Sequence, residues 1–410
     1  MDTKLQINDN FFDFIADNSG KDSNQLRLKY GNSSSNYDFD IKLAILQIEC
    51  RAKARKKIPE LLANPRFIFP MAISAEQCTS EVIARFHATL FNGYRSILDM
   101  SAGLCVDSYY ISTLNDATLI STDIDETVAM IGAYNMQILG AKVAVVNCNS
   151  VDYINNCNQQ FDAIFIDPAR RGNNNSRIFS LVDCAPNIVP LLPRISQLTN
   201  RLIVKASPMI DLSSTLNLIP NITDIWIVGF KNECREMLFS VNLSAEFRTE
   251  NITIHTVNFE SESHLQEFNY TRQLPNTVNR NILKTDIPEV GIYMYEPNCC
   301  IMKAGSFTEL SEQYPQLSKL HNNTHIFLSD KLIEDFPGRK FRIKEIIPFK
   351  DKLIRKLSRE DNQANVVTRN FPLTAEQLKS KLKIKDGGER YIYGVTLSDN
   401  SKVLIEVERL

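Results

Sequence analysis

Three acidic clusters, each at the end of an apolar run, are the segments of this chain best suited to chemistry: DMSAGLCVD (99–107), STDID (121–125) and DPARRG (167–172). In the first, Asp99 can hold a ligand ammonium, and Gly103 lets the backbone turn close to a ligand. The helix expected next offers unpaired N–H groups to a carboxylate, so Ser101, Gly103 and Asp107 join Asp99 as candidate ligand contacts. This loop has a single glycine, with Cys105 and Ser108 where G-x-G-x-x-G would place others. A pyrophosphate could not approach as it does in dinucleotide sites.

Asp123 lies 20 residues after Gly103, the spacing of an acid that binds ribose hydroxyls. Ile124 adjoins it, and Asp125 is a competing acid better placed to begin the next helix. Asn149, after a third apolar run, stands where an adenine-amino contact is usual, although it also suits a plain turn, and Ser150 beside it is a further candidate ligand contact. In the third cluster Asp167 can accept a hydrogen bond from a target N–H, with Pro168 stiffening the loop. Arg170 and Arg171 could clamp phosphate through planar forks. Asp167, Pro168 and Arg170 are the catalytic candidates; Arg170, Arg171 and Lys205 are the substrate candidates. A basic run at 51–57 adds Arg51, Arg55 and Lys56 as phosphate contacts, and helix-dipole complementation is the plainer explanation there.

Such clusters work only if strand ends bring them together. Apolar runs at 95–100, 117–123, 142–148, 161–168, 201–207 and 222–230 alternate with helical stretches, and another follows at 235–243. Near-continuous apolar strands covered by helices make a doubly wound α/β sheet. The last two runs, separated only by KNEC, predict an antiparallel hairpin. Before the sheet, residues 1–73 read as helical. The clearest helix is IKLAILQIECRAKARKK (41–57), with Ile41, Ile45, Ile48 and Ala52 on one face. Ser74 and Gln77 form a capping-box pattern that predicts a helix starting at the domain boundary. The pattern changes after 275: a small α/β unit is expected over 276–335. Over 336–410, a unit with strands and a capped helix after Thr374 is expected.

The net charge of −2 hides an asymmetry: from Arg339 onward there are 17 Lys/Arg against 10 Asp/Glu, which favours a polyanionic partner. No C-x-x-C pair exists among nine cysteines, and five histidines are scattered, so no metal is expected. A polar, acidic N-terminus and the lack of an 18-residue apolar run lead us to expect a cytoplasmic protein with no membrane span.

ILDMSAGLCVDS, STDIDETVAM and AIFIDPARRG resemble motifs I, II and IV of class I S-adenosylmethionine-dependent methyltransferases. AEQCTSE, LVDCAP after DPARR, and RNFPLTAEQLKSKLKIKDGGERYIYGVTL resemble a bacterial methyltransferase family carrying a ferredoxin-like and a C-terminal THUMP-like domain. The resemblance implies a Rossmann-like seven-stranded sheet over 74–275, S-adenosylmethionine as cofactor, and RNA (tRNA or rRNA) as partner. It departs at Cys105, where the family pattern favours glycine and where a side chain is expected to crowd the methionine end.

RNA uracil-5-methyltransferases carry a similar D-P-P-R signature but need a cysteine after the fifth strand, where this chain has KASP (205–208). Cys184 is the fallback thiol, in an apolar setting that suits core. Exocyclic-amine methylators place an aromatic where Ala169 and Arg170 stand, so a ring or exocyclic nitrogen is reached by elimination. Two other readings are open: methylation of a protein or small molecule, and an RNA-binding protein that keeps the fold without turnover.

Overall fold

A computed structural model describes residues 7–31, 37–170, 180–244, 249–273, 285–354, 357 and 363–410, without the side chain of Arg170. Arg171 lies outside the described residues. The chain divides into two compact units, 1–223 with 238–248, and 224–237 with 249–410.

The first unit begins with helices α1 (Asp9–Asp17), α2 (Ser23–Tyr30) and α3 (Ile41–Ala54). Asp40 starts α3 by accepting from the Lys42 and Leu43 amides, an N-cap that replaces missing helical partners. Ile41, Ala44, Ile45 and Ile48 pack against Phe11, Ile15, Leu26 and Phe39. Ala52 is exposed rather than part of that face, and α3 ends three residues short of the predicted Lys57.

Next come α4 (Pro59–Leu62), α5 (Ala72–Gln77) and α6 (Glu81–Thr89). The single helix predicted from Ser74 is broken: Ser74 lies inside α5, and the chain is extended at Cys78 before α6 begins. The break lets Thr79 turn inward, and Glu81 accepts from the Glu60 and Leu61 amides at the start of α4.

Five parallel strands then alternate with helices: β1 (Ser96–Asp99), α7 (Val106–Asn115), β2 (Thr118–Asp123), α8 (Glu126–Ile138), β3 (Val143–Asn147), α9 (Ser150–Asn156), β4 (Ala163–Ile166) and β5 (Arg201–Ala206). Their order is β5-β4-β1-β2-β3, so the direction of winding reverses between β1 and β4. Ile97, Leu98, Ile164, Ile166, Ile203 and Val204 are fully buried, whereas the edge strand β3 is half exposed. β6 (Ile222–Phe230) and β7 (Glu233–Asn242) follow, with β7 beside β5. Their connection is two residues, Lys231 and Asn232, both left-handed at φ 52° and 61°, not the four of KNEC. A turn of that kind matches strand twist.

In the second unit, β8 (Asn251–Phe259) pairs parallel with the second unit's part of β6 and antiparallel with β9 (Leu265–Gln273). These two strands are not foreseen in the sequence reading. A separate sheet combines Ser318–Lys319, β10 (Tyr293–Pro297), β11 (Phe327–Ser329), β12 (Gly338–Pro348), β13 (Asn365–Arg369), β14 (Tyr391–Thr396) and β15 (Lys402–Arg409). Its strands come from both predicted C-terminal segments, and Met294, Leu328, Phe341, Tyr393 and Ile405 form one core beneath them. Thr374 and Gln377 make the predicted capping box at the helix Ala375–Leu382. Among the described residues no helix is long and apolar enough to cross a membrane.

Candidate active site

A sheet that reverses its winding leaves a crevice at the carboxyl ends of the strands flanking the switch. Here those strands are β1 and β4, and they carry Asp99 and Asp167.

Asp99 is 1% exposed. Its carboxyl accepts from the Ser101 amide (2.9 Å), the Ser101 hydroxyl (3.1 Å) and Ser108. Burial pushes it up to about 6, against the pull of these hydrogen bonds. The turn continues through Gly103 at φ 51°, and its amide donates to Asp123 Oδ2 at 3.0 Å. Asp123 Oδ1 accepts from the Asp125 amide, also at 3.0 Å, so one carboxylate ties the loops after β1 and β2 together. Asp125 caps α8 through the Val128 amide, as its position suggested. Beside Asp123 the Ile124 side chain is 73% exposed, an apolar surface next to two acids.

Cys105 sits at φ 60°, a left-handed conformation that costs any residue other than glycine about 1–3 kcal/mol. Its thiol turns into the core with Ala102 and Met136. A Cβ placed at Gly132 would come within 3.0 Å of it, so Gly132 makes the room. The expectation that Cys105 crowds the crevice is therefore corrected: the thiol faces α8. Cys105 offers no side-chain cap to α7, so the first amides of that helix keep their capacity for an anion.

Asn149 caps α9 by accepting from the Val151 amide at 2.9 Å, the turn-type role, and Ser150 is the first residue of that helix. Asn147, unremarked in the sequence, donates to the Asp123 and Ile124 carbonyls at 3.1 Å.

On the other side of the switch, the Asp167 amide donates to Ser101 Oγ at 2.7 Å. That bond fastens the DPARR segment to the DMSAG loop. Pro168 is buried, and residues 169–170 pair antiparallel with Cys184–Ala185. Cys184 is 5% exposed and its thiol donates to the Ser180 carbonyl, which makes it core.

Lys205, at the end of β5, reaches Asp167 at 2.9 Å, Thr79 Oγ at 2.8 Å and Asp107 at 3.5 Å. Asp107 also receives the Thr79 hydroxyl at 2.7 Å and meets His87 Nδ1 at 2.8 Å. Burial works to raise the Asp107 carboxyl, but Lys205 and His87 win and hold it far below the usual carboxylate range. Asp107 thus balances the charge of the nearly buried Lys205 ammonium. Thr79 and His87 were missed in the sequence. The AEQCTSE segment was the only signal, and it pointed to the right place without saying what Thr79 touches.

The basic run at 51–57 is divided. Arg51 donates to the Leu62, Asn64, Pro65 and Phe67 carbonyls, so its guanidinium is committed to a loop, which corrects the phosphate role. Lys53 pairs with Glu49 and Glu76; Arg55 and Lys56 are exposed. No group of three His, Cys, Asp or Glu side chains among the described residues is arranged to hold a metal.

Comparison with known proteins bears on the fold. Residues 293–337 match a ferredoxin-like domain model and 338–409 a THUMP domain-like model. A solved structure from Porphyromonas gingivalis W83, provisionally assigned as a methyltransferase, is 25% identical. It superposes with a TM-score of 0.83 over 98% of this chain and 97% of its own. More distant is a class I S-adenosylmethionine-dependent methyltransferase, also a provisional assignment, from Listeria monocytogenes: 13% identity, TM-score 0.37, 62% of this chain and 85% of that one. The TrmK structure of M. capricolum, in complex with S-adenosyl-homocysteine, covers 40% of this chain and 68% of its own at 14% identity and TM-score 0.32. No curated protein matches the chain. The fold is that of a class I methyltransferase, followed in the chain by a ferredoxin-like and a THUMP-like domain.

Proposed function

We propose that this chain binds S-adenosylmethionine at the β1–β2 loops and methylates a nitrogen of an RNA base, in tRNA or rRNA. The single observation that carries the reading is the 2.7 Å bond from the Asp167 amide to Ser101. It sets an acid able to take a proton directly beside the loop suited to the methyl donor.

The chemistry of the residues fits that donor. Asp99 suits its ammonium, the α7 amides its carboxylate, Asp123 its ribose hydroxyls and Ile124 its purine face. When bound, the donor supplies an electrophilic methyl group. The protein's own part is alignment and a proton acceptor, since displacement at methyl needs little else. Asp167 accepts a hydrogen bond from the target nitrogen and orients its lone pair. Arg170 and Arg171, which follow Asp167 in sequence, are the proposed phosphate contacts, together with Arg55 and Lys56.

RNA as substrate is supported by the basic C-terminal segment and the THUMP-like match. A second reading, methylation of a protein or small molecule, draws support from how many of those basic groups are already paired. Lys344 meets Glu408, Lys379 meets Glu376 and Asp386, Lys381 meets Asp351, Arg390 meets Glu406, and Arg369 meets Glu296.

The test is mass spectrometry of nucleosides from cells with and without the gene, expected to show one methylated base lost. An unchanged profile, together with RNA affinity that does not fall with salt, would move the assignment to the second reading.

A further inference from the structure

We infer that Lys205 is a positioning residue for Asp167, and that the nitrogen methylated here is neutral and carries a hydrogen. The inference rests on the base-methylation reading above and narrows it.

A lysine that grips phosphate keeps its head in water on a flexible stem. Lys205 does the opposite. Its side chain is 10% exposed, and its ammonium is held at 2.9 Å by Asp167, at 2.8 Å by Thr79 and at 3.5 Å by Asp107. These oxygens come from the β4 end, from the break before α6 and from the first turn of α7. Drawing the ammonium out to a phosphate would strip the nearly buried Asp107 of a counter-charge, a strongly unfavourable change. Lys205 therefore stays where it is, which replaces its predicted contact with substrate.

From that seat it acts on Asp167. The Asp167 backbone is fastened by Ser101 and its carboxylate by Lys205, so both ends of the residue are fixed. Yet 46% of the Asp167 side chain remains open to an incoming group. A carboxylate with one side occupied and one side open is pre-set to accept a single N–H.

The same arrangement selects the acceptor. A cationic amine would meet the Lys205 ammonium across Asp167 and has no lone pair to offer. A neutral exocyclic amine meets the open carboxylate and keeps its lone pair for attack, whereas a ring N–H must give its proton to Asp167 as it attacks, the N–H pair then forming the bond to methyl. As the amine nitrogen bonds to the methyl group, the donor's methyl–sulfur bond breaks with its electron pair left on sulfur, and the nitrogen becomes cationic. Its N–H bond then breaks with the electron pair kept on nitrogen, and the proton passes to Asp167 and on to solvent.

The experiment compares wild type, Lys205→Met and Lys205→Arg on RNA from cells lacking the gene. Lys205→Met should lower kcat about 100-fold, the cost of a misplaced reacting group, with KM for RNA nearly constant. S-adenosylhomocysteine affinity, read by calorimetry, should stay near wild type, and Lys205→Arg should recover part of kcat. A raised KM with intact kcat would show a phosphate contact instead. An affinity loss as large as the rate loss would show a merely structural residue. Crystal structures of the free wild type and Lys205→Met need no substrate: the Asp167 carboxylate should rotate or split in the variant, and an unmoved carboxylate overturns the inference. Wild type that methylates no RNA would sink the base-methylation reading alone, and the crystal comparison would still decide the role of Lys205. Should Lys205→Met fail to fold, Thr79→Val, which removes one seat and no charge, carries both arms with about a tenfold fall in kcat expected.

Discussion

Asp99 and Asp107 stand eight residues apart on either side of one loop, with side chains almost withdrawn from water, and their carboxyl groups move in opposite directions. Asp99, 1% exposed, meets only hydroxyls and an amide, and burial pushes it up to about 6. Asp107, with 14% of its side chain exposed, suffers the same burial but faces Lys205 and His87, and is held low. Opposite charge, not depth, decides which way a buried acid titrates. The loop thus carries one acid ready to gain a cationic partner and one that already has its own.

Removing the paired acid should have the largest effect. Asp107→Ala removes one of the two carboxylates that balance the nearly buried Lys205 ammonium, together with the partner of His87, and should lower unfolding stability in urea by about 3–5 kcal/mol. Asp99→Asn should change it by only about 1 kcal/mol, because its partners are neutral. Equal losses would erase the contrast.

Cofactor affinity comes next. Asp123→Ala should weaken S-adenosylhomocysteine binding by about 1.5–3 kcal/mol, or roughly 10- to 100-fold by calorimetry, since a charged hydrogen-bond acceptor is lost. Unchanged affinity would remove Asp123 from the site.

The pH dependence sharpens the comparison further. A raised acid binds its proton more tightly when folded, so Asp99 should make stability fall as pH rises from about 4 to 6. Asp107 is depressed, so its contribution is present above its ordinary range near 3.8 and is lost as pH falls below it. Melting curves of Asp99→Asn and Asp107→Asn against pH should each lack one of these slopes. Near pH 6, a ligand ammonium placed at Asp99 should also release protons, read as buffer-dependent binding heat.

The smallest effect expected is at Asn149. As an N-cap its loss costs about 1 kcal/mol of stability. Asn149→Asp, which can still cap, should restore it in thermal melts. An affinity loss with stability unchanged would return Asn149 to the adenine contact.

Much of this was legible in the chain itself. The alternation of apolar runs with helical stretches prescribed the parallel sheet, because only buried strands carry such runs and only helices can cover both faces. The acids at 99, 123 and 167 follow from it, since strand ends next to a switch point are where a sheet can present side chains. Asp125 was read as a helix start and Thr374 as a cap from local spacing alone, because both bonds reach only three residues ahead.

What needed the fold was contact between residues distant in sequence. Lys205 meets Asp107 across 98 positions and Thr79 across 126, and His87 meets Asp107 across 20. No periodicity announces such meetings. Arg51 looked like a phosphate contact until the loop after α4 folded over it. By itself the sequence determined that acids would line one edge of a parallel sheet. The tertiary structure alone decided which of them is held low, because that depends on how far the lysine ending β5 lies from a carboxylate on α7.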